Sequence, residues 1–301
     1  MLYRGERGFV ASVFPFVSAA VEREEPVLVA VVPARADLLR AELGERSRLV
    51  EFIDMREAGR NPARIIPVWN AFAARHASGR KALNGVAEPI WRERSPAEIA
   101  ECQRHESLLN LAFAGAEAFT LLCPYDESGL PPAVVAAARE SHSHVVHGGV
   151  RTPSAEFHGV DAIEESDRRP LTTAPVGCET HPFATRNLAG LRHSVGTWAA
   201  ALGAEASRSA DLALAVHEAA VNSIRHGGGA GVLRLWTKGE VAICEVEDSG
   251  RIHDPLAGRR LPSPDSGTGR GLWMINQLCD LVQIRATATG TVVRLHQRVG
   301  A

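Results

Sequence analysis

Unbroken apolar runs alternate with helical periodicity through the first half of the chain. Val27–Val32 (VLVAVV) has no polar position, so it reads as a strand buried on both faces, and Pro33–Leu43 follows as a helix. Leu49–Asp54 repeats the strand pattern, and a helix beginning near Pro62 runs through Trp69, Phe72 and Ala73. Gly85–Trp91 contains a shorter extended piece. Ser95-Pro96-Ala97-Glu98 places serine at an N-cap, proline at the first helical position and glutamate three after the cap, which predicts a helix over Pro96–Ala112. Ala118–Cys123 reads as a further strand and Pro131–Ser141 as a further helix. Continuous apolar strands separated by helices predict an α/β unit, a mostly parallel sheet covered on both faces.

The pattern lapses over 150–180. Thr152-Pro153-Ser154, Glu164–Pro170 and Thr172–Pro175 are poor in apolar residues and rich in proline, as a linker would be. It resumes with an amphipathic helix, Leu188–Leu202, closed by Gly203. Asp211–His226 (DLALAVHEAAVNSIRH) is the next helix, with Gly227-Gly228-Gly229 after it. Val232–Thr237 and Val241–Val246 are strands around a hairpin signal, Lys238-Gly239. Arg251–Ser266 is a long loop rich in proline and glycine, Trp273–Leu281 a helical run, and Asp280–Ala286 and Thr291–Gln297 the last strands. The second half is therefore predicted to be α+β, with helices on one face of a mixed sheet. The domain layout is 1–149, a linker over 150–180, and 181–301.

Composition narrows the class. The 301 residues suffice for two domains, and the formal charge of −2 argues against a direct nucleic-acid surface. Five scattered cysteines without C-x-x-C spacing point to reduced thiols. With no apolar run long enough to span a bilayer and no signal-peptide layout, the expectation is a cytoplasmic protein without a membrane segment.

Chemistry concentrates in the second half. Glu218 and Asn222 sit four apart, hence one turn apart on one face of an otherwise apolar helix. Burying either without a partner costs about 1–3 kcal/mol. A divalent cation beside a water or hydroxyl would satisfy both, the amide oxygen binding the ion and the carboxylate taking a proton. On this helix alone, an exposed polar pair serves equally well. Downstream, the strand Val241–Val246 runs into Glu247, Asp248, Ser249 and Gly250. Gly267-Thr268-Gly269-Arg270-Gly271 precedes a helix, and Gly290-Thr291 opens the last strand.

An E-x-x-x-N helix, a D-x-G turn, a G-x-G-x-G loop and a G-T strand, in that order, resemble the ATP-binding domain of the GHKL superfamily, in particular the anti-sigma factor serine kinases. The resemblance implies ATP and Mg2+ as cofactors. It makes Asn222 the metal ligand, Glu218 the general base and Asp248 the acceptor of the adenine amino group, with Gly250 allowing close approach of the base. Gly267, Gly269 and Gly271 would present backbone N–H groups to the phosphates, where Arg270 could pair, and Thr291 would lie near the adenine. It further implies a serine/threonine kinase acting on a small anti-sigma factor antagonist and binding a sigma factor. The alternative is a non-catalytic module in which ATP only orders the partner surface. The lid, with Pro255, Pro262 and Pro264, departs from the family's better-known kinases, so ATP binding stands on firmer ground than turnover. A sensor histidine kinase lacks support: the nearest acceptor, His193, precedes only one short helix.

The first half carries no G-x-x-x-x-G-K-[ST] and no G-x-G-x-x-G. Its layout, with Phe14–Val21 before the first strand and Cys123–Asp126 (CPYD), resembles the MEDS sensory domain, akin to a RecA/KaiC-type ATPase without its phosphate loop. That implies a sensory or docking role and leaves a small-molecule ligand and a homodimer open. His142, His144 and His147 cluster in sequence, but spacings of two and three fit no common zinc pattern and no nearby Cys, Asp or Glu completes a set. Glu106 and Asn110 repeat the E-x-x-x-N spacing without glycine loops, which reads as a polar helix face with the option of lining a sensor pocket.

Overall fold

The computed structural model describes residues 1–77, 81–116, 118–263, 269–286 and 289–300, with backbone alone at 164, 165, 167 and 168. The chain divides into two compact units, Met1–Ile163 and Glu164–Ala301.

The first unit opens with β1 (Leu2–Tyr3), α1 (Gly5–Glu22), β2 (Val27–Val31), α2 (Pro33–Leu43), β3 (Glu51–Asp54), a single turn α3 (Met55–Ala58) and α4 (Ile65–Arg75). It continues with β4 (Leu83–Ala87), α5 (Pro96–Ala112), β5 (Phe119–Leu122), β6 (Tyr125–Asp126), α6 (Pro132–Ser141), β7 (His144–His147), β8 (Val150–Pro153) and α7 (Asp161–Arg168), which straddles the division. Strands β3-β2-β4-β5 form a parallel sheet in that order. The chain leaves β2 to one side through α2 and returns on the other through α4. Right-handed crossovers then put these helices on opposite faces. Packing agrees: Val27, Val29, Val31 and Val86 meet Phe9, Val13 and Val17 of α1 and Ala36 and Leu39 of α2. The opposite face of β4 carries Gly85, where a Cβ would lie 2.9 Å from Trp69 of α4 and 2.7 Å from Leu121. The indole packs directly on backbone there.

The predicted helix Pro96–Ala112 matches α5, and its cap is reciprocal. The Glu98 amide donates to Ser95 Oγ at 3.4 Å and the Ser95 amide to Glu98 Oε2 at 2.8 Å. Three expectations shift. The strand expected from Leu49 starts at Glu51, because Gly44–Leu49 coils as a 3-10 turn. The extended piece expected from Gly85 starts at Leu83, with the polar Asn84 side chain donating to Glu25 Oε2 at 3.0 Å. The stretch 150–180 holds β8, paired antiparallel with β7, and α7; only 154–160 and 169–178 lack regular structure. An exposed strand held by backbone pairing leaves no hydrophobic signature.

The second unit runs β9 (Glu179–Ala184), α8 (Leu188–Ala201), α9 (Ala206–His226), β10 (Ala230–Lys238), β11 (Val241–Asp248), α10 (Arg270–Leu278), β12 (Leu281–Ala286) and β13 (Thr291–Arg298). Its sheet has the order β12-β13-β11-β10-β9, and each neighbouring pair is antiparallel, where a mixed sheet was expected. The hairpin β10–β11 closes over Gly239-Glu240, with Gly239 left-handed at φ 58°, so no long crossover is needed there. The core lies between this sheet and the helices. Ala242, Cys244 and Val246 of β11 meet Leu212, Val216 and Ala220 of α9 and Ile275 of α10. On the far face Glu245 is buried between Arg234 Nη1, at 3.1 Å, and Arg294 Nε, at 2.9 Å. Helix α9 begins at Ala206 rather than Asp211, because its first turn (ASRSA) has no apolar stripe to mark it. Among the described residues, no helix is long and apolar enough to cross a membrane.

One buried group of the first unit makes its stability depend on pH. Glu88, just past β4, accepts a hydrogen bond from Tyr3 Oη at 2.5 Å, and burial raises its carboxyl to about 7 although that bond lowers it. The fold favours protonated Glu88, so this contribution is complete below about pH 4.5 and is lost as pH rises through 7. The melting temperature of the first unit should therefore fall between pH 5 and pH 8. Glu88→Gln should flatten that slope and stabilise the unit at pH 8 by at most about 3 kcal/mol. A Glu88→Gln protein with the wild-type slope would mean that Glu88 is already ionised at pH 5.

Candidate functional site

Helix α9 sets the site because one side of it cannot be moved. Leu212, Ala213, Ala215, Val216, Ala219 and Ala220 are buried in the core of the second unit, which fixes the rotation of the helix. That rotation leaves Glu218 and Asn222 half-buried on a neighbouring face. The start of α10 lies directly on them. A Cβ at Gly271 would sit 3.0 Å from Asn222 Nδ2 and 3.2 Å from both Asn222 Oδ1 and Glu218 Oε2. A carboxylate, an amide and a helix N-terminus therefore meet at one point. The N-cap, Gly269, is left-handed at φ 85° and brings no side-chain cap to α10, a helix end whose dipole favours an anion. Arg270 is exposed at the first helical position. Gly267 lies outside the described residues, as does the lid from 264 to 268.

The D-x-G turn is held by the same helix. Asp248 ends β11 and accepts from Ser223 Oγ through Oδ2 at 2.6 Å and from the Gly250 amide through Oδ1 at 2.7 Å. Each carboxylate oxygen keeps a further lone-pair direction for a ligand N–H. Thr291, paired in register with Asp248, donates from Oγ1 to the Gly250 carbonyl at 2.8 Å. Three glycines make room for this packing. A Cβ at Gly227 would overlap Asp248 Cγ at 2.4 Å, one at Gly250 the His226 carbonyl at 2.5 Å, and one at Gly290 the Asp248 carbonyl at 1.8 Å. Asp248, Gly250 and Thr291 thus form one corner, and Glu218, Asn222 and Gly271 another. Ser223, next to Asn222, ties the two together.

The sequence reading missed Ser223 and Asn276. Ser223 is a small polar residue on the buried side of an apolar helix, and that anomaly was the available signal. Asn276, buried on α10, donates to the Gly258 carbonyl at 3.0 Å and anchors the described part of the lid, where Gly258 is left-handed at φ 73°. Gly227, read only as a helix end, is where the turn after β11 abuts α9. His193 is exposed on α8, within the same unit as the rest of the site.

The residues fit a magnesium nucleotide. Asn222 Nδ2 is buried with no hydrogen-bond partner, so its amide is not committed within the protein. An amide oxygen, a carboxylate and a helix N-terminus are the groups that a hydrated Mg2+ and a phosphate chain take. The Asp248 carboxylate, oriented from two sides and half-exposed, suits an exocyclic amino group.

Comparison with known families agrees with both halves. Residues 1–143 match the MEDS family (MEthanogen/methylotroph, DcmR Sensory domain), and residues 182–296 match the histidine kinase-like ATPase domain. No curated protein matches the chain. The chain thus carries an N-terminal MEDS domain followed by a C-terminal histidine kinase-like ATPase domain.

Proposed function

We propose that the chain is an ATP-dependent signalling regulator whose ATPase domain acts as an anti-sigma-type serine/threonine kinase. Its substrate would be a hydroxyl of a small antagonist protein, and phosphorylation would decide whether that protein or a sigma factor is held. The carrying observation is the packing of Gly271 against both Glu218 and Asn222, which sets a carboxylate beside a metal-ligand type at an anion-binding helix end. ATP with Mg2+, when bound, supplies the phosphoryl group and offsets its charge. Asp248 would accept the adenine amino hydrogen, and Asn222 Oδ1 would ligate the ion. The α10 N–H groups would hold phosphate oxygens. Glu218 would take the proton of the attacking hydroxyl as its oxygen bonds phosphorus and the bond to the ADP oxygen breaks. The MEDS domain would supply the signal that biases this activity.

Nucleotide binding is tested by thermal shift. Mg-ATP at about 100 times its dissociation constant should add about 2.7 kcal/mol to the second unit and raise its melting temperature. Asp248→Ala should lose most of that shift while the apo protein still melts cooperatively. A wild-type protein indifferent to millimolar Mg-ATP would sink the reading.

Catalysis is tested separately with radiolabelled ATP and the cognate antagonist. Glu218→Gln should slow labelling by about 10²–10⁴-fold with ATP affinity little changed, since the carboxylate faces the nucleophile. Asn222→Ala should weaken Mg-ATP binding itself. Equal labelling by wild type and Glu218→Gln would remove Glu218 from the mechanism. ATP binding without any labelling would leave a non-catalytic partner-binding module.

A further inference from the structure

The three neighbouring histidines part company in the fold. His144 and His147 lie exposed on β7, whereas His142, the residue after α6, turns inward. There it meets two groups distant in sequence. His142 Nε2 is 3.1 Å from Oε2 of Glu106, a buried residue of α5, and one ligand atom from each of Glu106, Cys123 and His142 falls within 4.8 Å of the others. Cys123 follows the last residue of β5, at the carboxyl end of the parallel sheet, where open α/β sheets take their ligands.

Three observations say what this cluster is for. The first is orientation. His142 Nδ1 lies 2.7 Å from the Ala138 carbonyl, which can only accept, so Nδ1 donates there and Nε2 is the nitrogen left facing Glu106. A backbone carbonyl behind one imidazole nitrogen is the usual support of a metal-ligating histidine. The second is the state of the carboxylate. The Glu106 side chain is 1% exposed, and neither oxygen makes a hydrogen bond of good geometry. A buried carboxyl without a settled partner is a group that a cation would satisfy. The third is access. Glu106, Cys123 and His142 line a cavity of about 720 Å3 whose other walls include Phe16, Phe113 and Phe119.

A Cys-His-Glu arrangement also suggests a nucleophilic thiol, but the geometry opposes it. Nδ1 is engaged by the Ala138 carbonyl and Nε2 lies 3.1 Å from Glu106, so the imidazole is turned to the carboxylate and not to the Cys123 thiol.

We propose that Glu106, Cys123 and His142 are the ligands of a divalent zinc-class cation in the N-terminal domain, with a remaining coordination position open to the cavity. One thiolate and one carboxylate neutralise the ion's charge, and mixed S, N and O donors match this class better than Mg2+ or Ca2+. On binding, the Cys123 sulfur bonds the metal and its proton leaves to solvent. Three protein ligands with an open position are the pattern of zinc sites that receive a further small ligand. The cavity would then be entered by a small molecule with one metal-binding atom and an apolar body.

The full-length protein, stripped with chelator, is titrated with Zn2+ and separately with Co2+. One zinc ion per chain and a cobalt spectrum with a thiolate charge-transfer band are expected. Cys123→Ser should abolish the band. Cys123→Ser and His142→Gln should each weaken zinc binding by more than the ~100-fold that loss of a supporting partner alone can cost. His147→Gln, on exposed β7, should leave binding unchanged. Zinc affinity within about threefold of wild type in both ligand variants would overturn the proposal, and so would wild-type cobalt binding without the thiolate band. If a ligand variant fails to fold by circular dichroism, the wild-type cobalt spectrum decides alone.

Discussion

The second unit depends on the grip that helix α9 has on Asp248. Ser223 holds one carboxylate oxygen and the Gly250 amide the other, so the turn after β11 can take one orientation relative to the helix. A hydrogen bond to an ionised group is worth about 1.5–3 kcal/mol, and two of them on one carboxylate outweigh the freedom of an exposed turn. The close approach needs glycine at 227, 250 and 290, since a Cβ at each would overlap backbone or the carboxylate itself. From that junction the rest follows. Thr291 is brought over Gly250 by strand register, and Glu218 and Asn222, one helical turn along, are carried to the start of α10.

The first unit uses buried carboxyls in two different ways. Glu88 is held chiefly by a neutral phenol, and burial drives it towards its protonated form. Glu106 is buried at least as deeply, yet it sits against an imidazole and is drawn the other way. The difference lies in the partner and not in the depth, as expected when desolvation and a nearby charge compete. A protonated carboxyl fills space and donates or accepts once.

The candidate site of the ATPase domain was legible because its chemistry is local in sequence. Glu218 and Asn222 announce themselves as polar intruders on an apolar helix, and the glycine loop and D-x-G turn punctuate the elements that follow. Ser223 was not legible, since a serine beside an asparagine has many uses and only contact with Asp248, 25 positions away, selects one. The cluster of Glu106, Cys123 and His142 was hidden for the same reason. Spacing rules search along the chain, and here α5, the end of β5 and the end of α6 each contribute one residue.

Periodicity by itself determined the alternation of strands and helices and the face of α9 that must be buried. Those depend on side chains within a few residues of one another, so local sequence contains the information. Tertiary structure alone decided the pairing of β11 with β13, the place of exposed strands such as β8 and β9, and the partners of each buried polar atom. Backbone hydrogen bonds carry no side-chain signature, and a polar side chain has no preferred partner until the fold brings one within about 3 Å.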